Sequence, residues 1–166
     1  MELYVIKAGI TKAKVDVIVN AANKYLKRGG GVCGAIFRDC NHSNDLQIEC
    51  DKLAPINVGG AVITNAYDLP AKYIIHAVGP IYSNDKESSK LLRNAYYNSL
   101  KLADEKGLVS IAFPSISTGI FGYPLDKAAR IAVNTMKEFK WNNLKYCYLY
   151  CIDEKTYNEY NNLING

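Results

Sequence analysis

Two stretches of the chain carry residue types that can hold a phosphate through backbone groups alone. The first, residues 15–38, reads VDVIVNAANKYLKRGGGVCGAIFR. An apolar run ends in Asn20, the small residues Ala21 and Ala22 lead to Asn23, and Gly29, Gly30 and Gly31 precede a helix-like segment. Glycine lets backbone N–H groups approach a ligand closely and reaches φ > 0 without steric penalty. A helix start adds unpaired N–H groups and the positive end of the helix dipole. Taken alone, this loop also fits a flexible turn that binds nothing. The second stretch, residues 113–125, reads FPSISTGIFGYPL and again follows an apolar run and precedes a helical pattern. Ser115, Ser117, Thr118, Gly119 and Gly122 supply small groups and donors there. Ligands of open α/β sheets lie beyond the carboxyl ends of the strands, so two such loops on one edge can clasp a diphosphate from both sides. Neither loop is a GxGxxG fingerprint, a GxxxxGK[ST] P-loop or a GxSxG nucleophile elbow. Phosphate contact therefore rests on amides rather than on lysine or magnesium.

The elements that must carry these loops are legible as alternating strand and helix patterns. Residues 3–7 alternate loosely as a strand does, and the apolar runs 15–19, 58–64, 73–78, 109–113 and 145–150 read as strands buried on both faces. One helix follows the glycines and includes Ala35, Ile36 and Cys40. A second carries the stripe Leu92, Ala95, Tyr96, Ser99 and Ala103, with Gly107 as its stop. A third carries Leu125, Ala128, Ala129, Ala132, Val133 and Met136, with Pro124 as its first residue. The last starts near Asp153 and turns Tyr157, Tyr160 and Ile164 inward. Residues 41–51 are polar and either continue the first helix or form an irregular insertion. The order predicts one α/β domain over residues 1–166 with a mostly parallel or mixed sheet.

Composition excludes several classes. The net charge of +4 is mild and the basic residues are scattered, without an arginine-rich arm. No apolar run reaches the roughly eighteen residues of a membrane span, and the first residues lack a signal-peptide pattern. The five cysteines form no CxxC pair. They read as buried, reduced thiols of a cytoplasmic protein rather than a zinc site. His76, inside the apolar YIIHAVGP, reads as structural, and His42 as exposed. The thirteen tyrosines read as compositional bias.

The blocks NAANKYLKRGGGVCGAIF, YIIHAVGP and SISTGIFGYP, in this order and spacing, resemble the macro domain family along essentially the whole chain. They are most similar to its ADP-ribosyl hydrolase branch, and the ending YLYCIDEKTYNEY resembles viral members. The resemblance implies a three-layer α/β/α sandwich that binds ADP-ribose. It assigns the catalytic positions to Asn23 and Gly31, with Asn23 contacting the distal ribose and placing the attacking water. Ala22, Gly30, Gly31, Val32 and Cys33 belong to the first ligand loop. Ser117, Thr118, Gly119, Ile120 and Phe121 belong to the second, with Phe121 shaping the distal ribose pocket. Gly9, Ile10 and Ile152 match positions beside the adenine.

Two positions depart from the family pattern. Gly9 stands where members often carry an aspartate that accepts from the adenine amine. Cys33 stands where many hydrolases of the branch carry an aspartate. It reads as a small pocket-lining thiol, since a nucleophilic role requires a stabilised thiolate. Asp16 fits a strand edge and does not replace the missing carboxylate.

The reaction implied is hydrolysis of mono-ADP-ribose from modified acidic side chains of proteins, by a monomer that needs no metal or cofactor. Substrate phosphate assists deprotonation, and positioning carries much of the acceleration. The alternatives are a non-catalytic ADP-ribose reader and a hydrolase of a small derivative such as ADP-ribose 1″-phosphate. The partners are accordingly ADP-ribose or a mono-ADP-ribosylated protein. Lys24, Lys27 and Arg28 offer a weak contact to RNA or substrate protein, and no membrane partner is implied.

Overall fold

The computed structural model describes residues 2–166. Six strands form one sheet: β1 (Glu2–Lys7), β2 (Val17–Ala22), β3 (Ala61–Asn65), β4 (Tyr73–Val78), β5 (Ser110–Phe113) and β6 (Tyr146–Cys151). Their spatial order is β1-β6-β5-β2-β4-β3, all parallel except β3, which runs antiparallel to β4. Five helices flank the sheet: α1 (Gly31–Asp39), α2 (Ser43–Leu53), α3 (Lys86–Glu105), α4 (Leu125–Glu138) and α5 (Glu154–Asn165). The three-layer α/β/α sandwich with a mixed, mostly parallel sheet is thus as expected.

Alternation along the strands builds two cores. On one face, Val17, Val19, Cys147 and Leu149 pack with Leu92, Tyr96, Ala132, Met136 and Tyr160 of α3, α4 and α5. On the other, Ile18 and Ile74 pack with Ile36 and Phe37 of α1 and Leu46 and Cys50 of α2. All five cysteines are buried and unpaired. Helix α3 stops as its glycine predicts: Gly107 has φ 78°, Gly107 N donates to Asp104 O (3.0 Å) and Leu108 N to Ala103 O (3.1 Å). This is the Schellman pattern, which satisfies carbonyls that the helix leaves over. Asp153 caps α5 by accepting from Thr156 N at 2.7 Å.

Several boundaries differ from the sequence reading, and four of the differences have a local cause. Strand β2 runs on through Asn20, Ala21 and Ala22, because each pairs in register with β4 out to Val78. Strand β3 starts only at Ala61, since Gly59, at φ 89°, turns the chain first. Pro124 precedes helix α4 as its cap rather than opening it, with ψ 128°. Residues 43–53 form the separate helix α2, because Asp68 accepts from Asn41 N (3.0 and 3.1 Å) and ends α1 there. Those bonds hold the Asp68 carboxyl down at about 2, with the Asn41 amide as the largest cause.

Topology opens a crevice where it positions the site. The chain leaves β2 toward α1 on one face of the sheet and leaves β5 toward α4 on the other. Neighbouring parallel strands whose connections diverge this way leave a gap beyond their carboxyl ends.

Candidate functional site

A cleft of about 550 Å³ fills that gap. Its walls come from the loops after β2, β4, β5 and β6, so four strand ends contribute to one cavity.

The first wall is the glycine loop. The Asn23 side chain closes its turn, with Nδ2 donating to Lys27 O (2.8 Å) and Oδ1 accepting from Lys27 N (3.1 Å). Leu26, at φ 54° and 2% exposed, anchors the turn in the core. Gly30 precedes α1 without any side-chain cap, and Gly31 has φ 56°. The first bond at this helix start runs from Gly34 N to Gly30 O (3.1 Å). The N–H groups of Gly31, Val32 and Cys33 thus have no protein acceptor among the described residues, and all three residues line the cleft. Gly34 is required for a different reason, since a Cβ there would stand 2.5 Å from Gly29 O.

The second wall is the loop after β5. Ile116 N donates to Tyr96 Oη (2.9 Å), Tyr123 N to Ser117 O (2.9 Å) and Gly122 N to Gly119 O (3.0 Å). Those bonds fix the loop's ends and leave the amides of residues 117–121 without a protein acceptor among the described residues. Ser117 adopts φ 68°, and its buried Oγ has no partner among the described residues. Gly79, after β4, lets this loop sit close: a Cβ on Gly79 would collide with Ser117 Oγ and Ile116 Cγ2. Two runs of amides without a protein acceptor, both in the lining of one cavity, can together hold an extended polyanion.

The third wall, from β6 into α5, was not singled out from sequence beyond Ile152. Tyr150, Asp153, Lys155 and Thr156 also line it. Nothing local marks these residues; only the placement of β6 beside β5 brings them to the cleft. Ile152 is 76% exposed and, with Ile120 at 95%, gives the mouth two uncovered apolar side chains. The Asp153 carboxyl is held below its ordinary value, chiefly by the Thr156 amide. Burial pushes the Tyr150 hydroxyl up, with Tyr148 adding to it.

The structure brings Ala22, Asn23, Gly30, Gly31, Val32, Cys33, Ser117, Thr118, Gly119, Ile120, Phe121 and Ile152 together around this cavity. It does not bring Gly9 and Ile10 into its wall. Ile10 is 5% exposed and packs into the α1/α2 core. Gly9 follows Ala8, whose N donates to Cys151 O (3.1 Å), and so stands next to the cleft's β6 end. Cys33 is 4% exposed, and its Sγ donates to Lys27 O (3.4 Å). Burial pushes the thiol up, against weaker opposition from Asn20 and the Gly29 backbone. The helix start therefore does not produce a thiolate here. Asp16 accepts from Val109 N (2.8 Å) at the opposite edge of the sheet. Of the three cations near the first loop, Lys27 pairs with Asp51 (2.7 Å), and Arg28 donates to Ser43 Oγ (2.5 Å) and lies over Phe37.

Beneath the cleft floor, His76 is fully buried. Asn20 Nδ2 stands 3.0 Å from His76 Nδ1, and Thr64 Oγ1 stands 2.9 Å from its Nε2. Thr64 Oγ1 also donates to Asn65 O (3.2 Å), so a proton on Nε2 and a free Nδ1 suit both ring contacts, while the buried Asn20 Oδ1 has no partner among the described residues.

Comparison with known proteins agrees with this geometry. The family described as Macro domain matches residues 19–132. An O-acetyl-ADP-ribose deacetylase of Escherichia coli K12 is 42% identical over 173 residues, covering 98% of this chain and 94% of that protein. Among solved structures, the Oceanobacillus iheyensis macrodomain with ADP superposes at a TM-score of 0.89 with 38% identity, covering 95% of this chain and 87% of that one. The Trypanosoma brucei macrodomain in complex with ADP-ribose superposes at 0.91 with 36% identity, covering 98% of this chain and 69% of that one. No helix among the described residues is long and apolar enough to cross a membrane.

Proposed function

The chain belongs to the macro domain family, and from that membership and the cleft we propose that it binds ADP-ribose and hydrolyses an acyl ester carried on the distal ribose. The observation that carries the reading is the pair of runs, residues 31–33 and 117–121, that line one cavity with amides lacking a protein acceptor among the described residues. Such donors hold a diphosphate between them and stay in place as charge develops. The leading substrate is a small ester of the O-acetyl-ADP-ribose kind, the substrate in the name of the Escherichia coli relative. Water attacks the ester carbonyl, the C–O bond to the ribose breaks, and acetate and ADP-ribose leave.

Asn23 and Gly31 serve the reacting end. After its two bonds to Lys27, the Asn23 carboxamide keeps one N–H and one oxygen lone pair to orient water or a ribose hydroxyl. In the cleft, burial pushes Cys33, Cys151 and Tyr150 up, and Asp153 is spent on the α5 cap. None of these four suits a general base near neutral pH. The substrate's own phosphate takes the proton, and positioning supplies the acceleration.

A second reading, removal of mono-ADP-ribose from acidic side chains of proteins, uses the same ligand site. The exposed Ile120 and Ile152 at the mouth favour it as a surface for a protein to rest on. In either reading residues 1–166 act as one macro domain and as a monomer. Its five buried, unpaired thiols suit the cytoplasm.

The test is to incubate the protein with O-acetyl-ADP-ribose and, separately, with a glutamate-linked mono-ADP-ribosylated protein, and to measure released ADP-ribose. Release from the small ester that is lost in Asn23→Ala supports the leading reading. Release only from the protein conjugate supports the second. ADP-ribose binding with no release from either makes the protein a reader and overturns both.

A further inference from the structure

A second cavity of about 340 Å³ lies behind the cleft's second loop. Residues 121–125 separate the two: Phe121 and Leu125 line the cleft, whereas Tyr123 lines the outer cavity. Tyr82 forms the facing wall. Its N donates to Phe121 O (2.8 Å), and its ring meets Tyr123 edge-on with centroids 4.8 Å apart.

Two cations enter this cavity from one face of α4. Lys127 and Arg130 are three residues apart and so lie on neighbouring turns; both line the space. Lys127 Nζ sits over the Tyr82 ring at 5.8 Å and reaches Tyr82 Oη only at 3.4 Å. Neither cation has a carboxylate within ion-pair distance among the described residues. Ser83 and Ser89 also line the space, but the Ser89 hydroxyl donates to Lys86 O (3.2 Å) and the Ser83 hydroxyl bonds the Asp85 carboxylate. Lys86 and Arg93, on the same α3 face as Ser89 by their spacing, are likewise without an ion pair among the described residues. The cavity's one carboxylate, Asp85, is engaged at the start of α3, accepting from Ser88 N at 2.9 Å. It is held below its ordinary value, with that bond the largest cause.

We propose that this outer cavity is a second anion site, which takes the phosphate group of a small phosphate monoester. The guanidinium of Arg130 and the ammonium of Lys127 match a phosphate dianion in charge. The guanidinium fork and the three-donor ammonium together offer more donors than the two oxygens of a carboxylate use. The tyrosine pair forms an apolar floor for whatever the phosphate carries. The site stands apart from the ester-hydrolase reading, since it shares a wall with the cleft but no donor.

The test is a titration of the isotope-labelled protein with inorganic phosphate at constant ionic strength, followed by amide chemical shifts. The expected result is saturable shifts at Tyr82, Ser83, Ser89 and Lys127, in addition to any at Gly30 and Gly119 in the cleft. In the doubly substituted Lys127→Ala, Arg130→Ala protein, the outer shifts should need at least about tenfold more phosphate while those of the cleft are unchanged. Both side chains are exposed, so the variant is expected to fold. Outer shifts that survive the double substitution, fail to saturate, or arise equally with acetate overturn the proposal. Outer shifts without cleft shifts leave it standing and count against the cleft reading instead.

Discussion

Acid should destabilise this protein through His76 before the carboxylates contribute. The imidazole is fully buried, and burial lowers its pKa from 6.5 to about 4. Below pH 6.5 the unfolded chain takes up a proton that the folded one refuses, so stability is lost between pH 6.5 and pH 4. Working the linkage with those two values gives a loss of about 2 kcal/mol between pH 7 and pH 5, rising to about 3 kcal/mol by pH 4. The contacts point the same way, because protonating Nδ1 sets it against the Asn20 Nδ2 donor at 3.0 Å. The depressed carboxylates Asp51, Asp68, Asp85 and Asp153 have an ordinary value of 3.8. Their contribution is present above that value and lost as pH falls below it, so it does not overlap the range from 7 to 5. The assay is urea unfolding at pH 7, 6 and 5, followed by the fluorescence of Trp141, whose Nε1 donates to Met136 O (2.9 Å). His76→Gln should be less stable at pH 7 but should show a much flatter pH dependence. A wild-type protein equally stable at pH 7 and 5, or a His76→Gln variant that loses as much as wild type, refutes the reasoning.

Three further outcomes follow from the packing. Helix propensity alone predicts that Gly34→Ala stabilises α1 by about 1 kcal/mol. The clash with Gly29 O predicts instead a loss of about 1–3 kcal/mol and weaker ADP-ribose binding, read by thermal unfolding and calorimetry. Asp104→Ala strands the amides of Asn142, Asn143 and Leu144, which all donate to Asp104 Oδ1 at 2.7–3.2 Å, and should lose about 2–4 kcal/mol in urea unfolding. Cys33→Ala should retain turnover, because burial keeps the thiol protonated; loss of most activity would point to covalent catalysis.

The parts legible from sequence are those whose physics is local. Strand β4 reads correctly end to end because Tyr73–Val78 is an unbroken apolar run apart from His76. The convergence of the two glycine-bearing loops on one cleft is legible because glycines and small residues between a strand and a helix have few other uses. Helix α2 was hidden because only Leu46 and Cys50 of its residues are buried while Ile48 is 55% exposed, so its apolar stripe is too thin to show a period. The far end of β2 was hidden because Asn20, Ala21 and Ala22 have weak strand preference and are held by pairing with β4. The wall from Tyr150 to Thr156 was hidden for a third reason, since its place at the site depends on strand order, which no local pattern encodes.

Asn23 shows how a local reading and a structural one combine. Its type and position suggest a group that orients water, yet its carboxamide also ties the Lys27 backbone in both directions. Removing it therefore acts on the chemistry and on the shape of the loop that presents the Gly31, Val32 and Cys33 amides. The two effects separate by measurement, because ADP-ribose affinity depends on the amides whereas turnover depends on both. Asn23→Ala with unchanged affinity and lost turnover assigns the residue to the reacting water. A parallel fall in affinity and turnover assigns it to the loop, and the amides rather than the carboxamide then carry the catalysis.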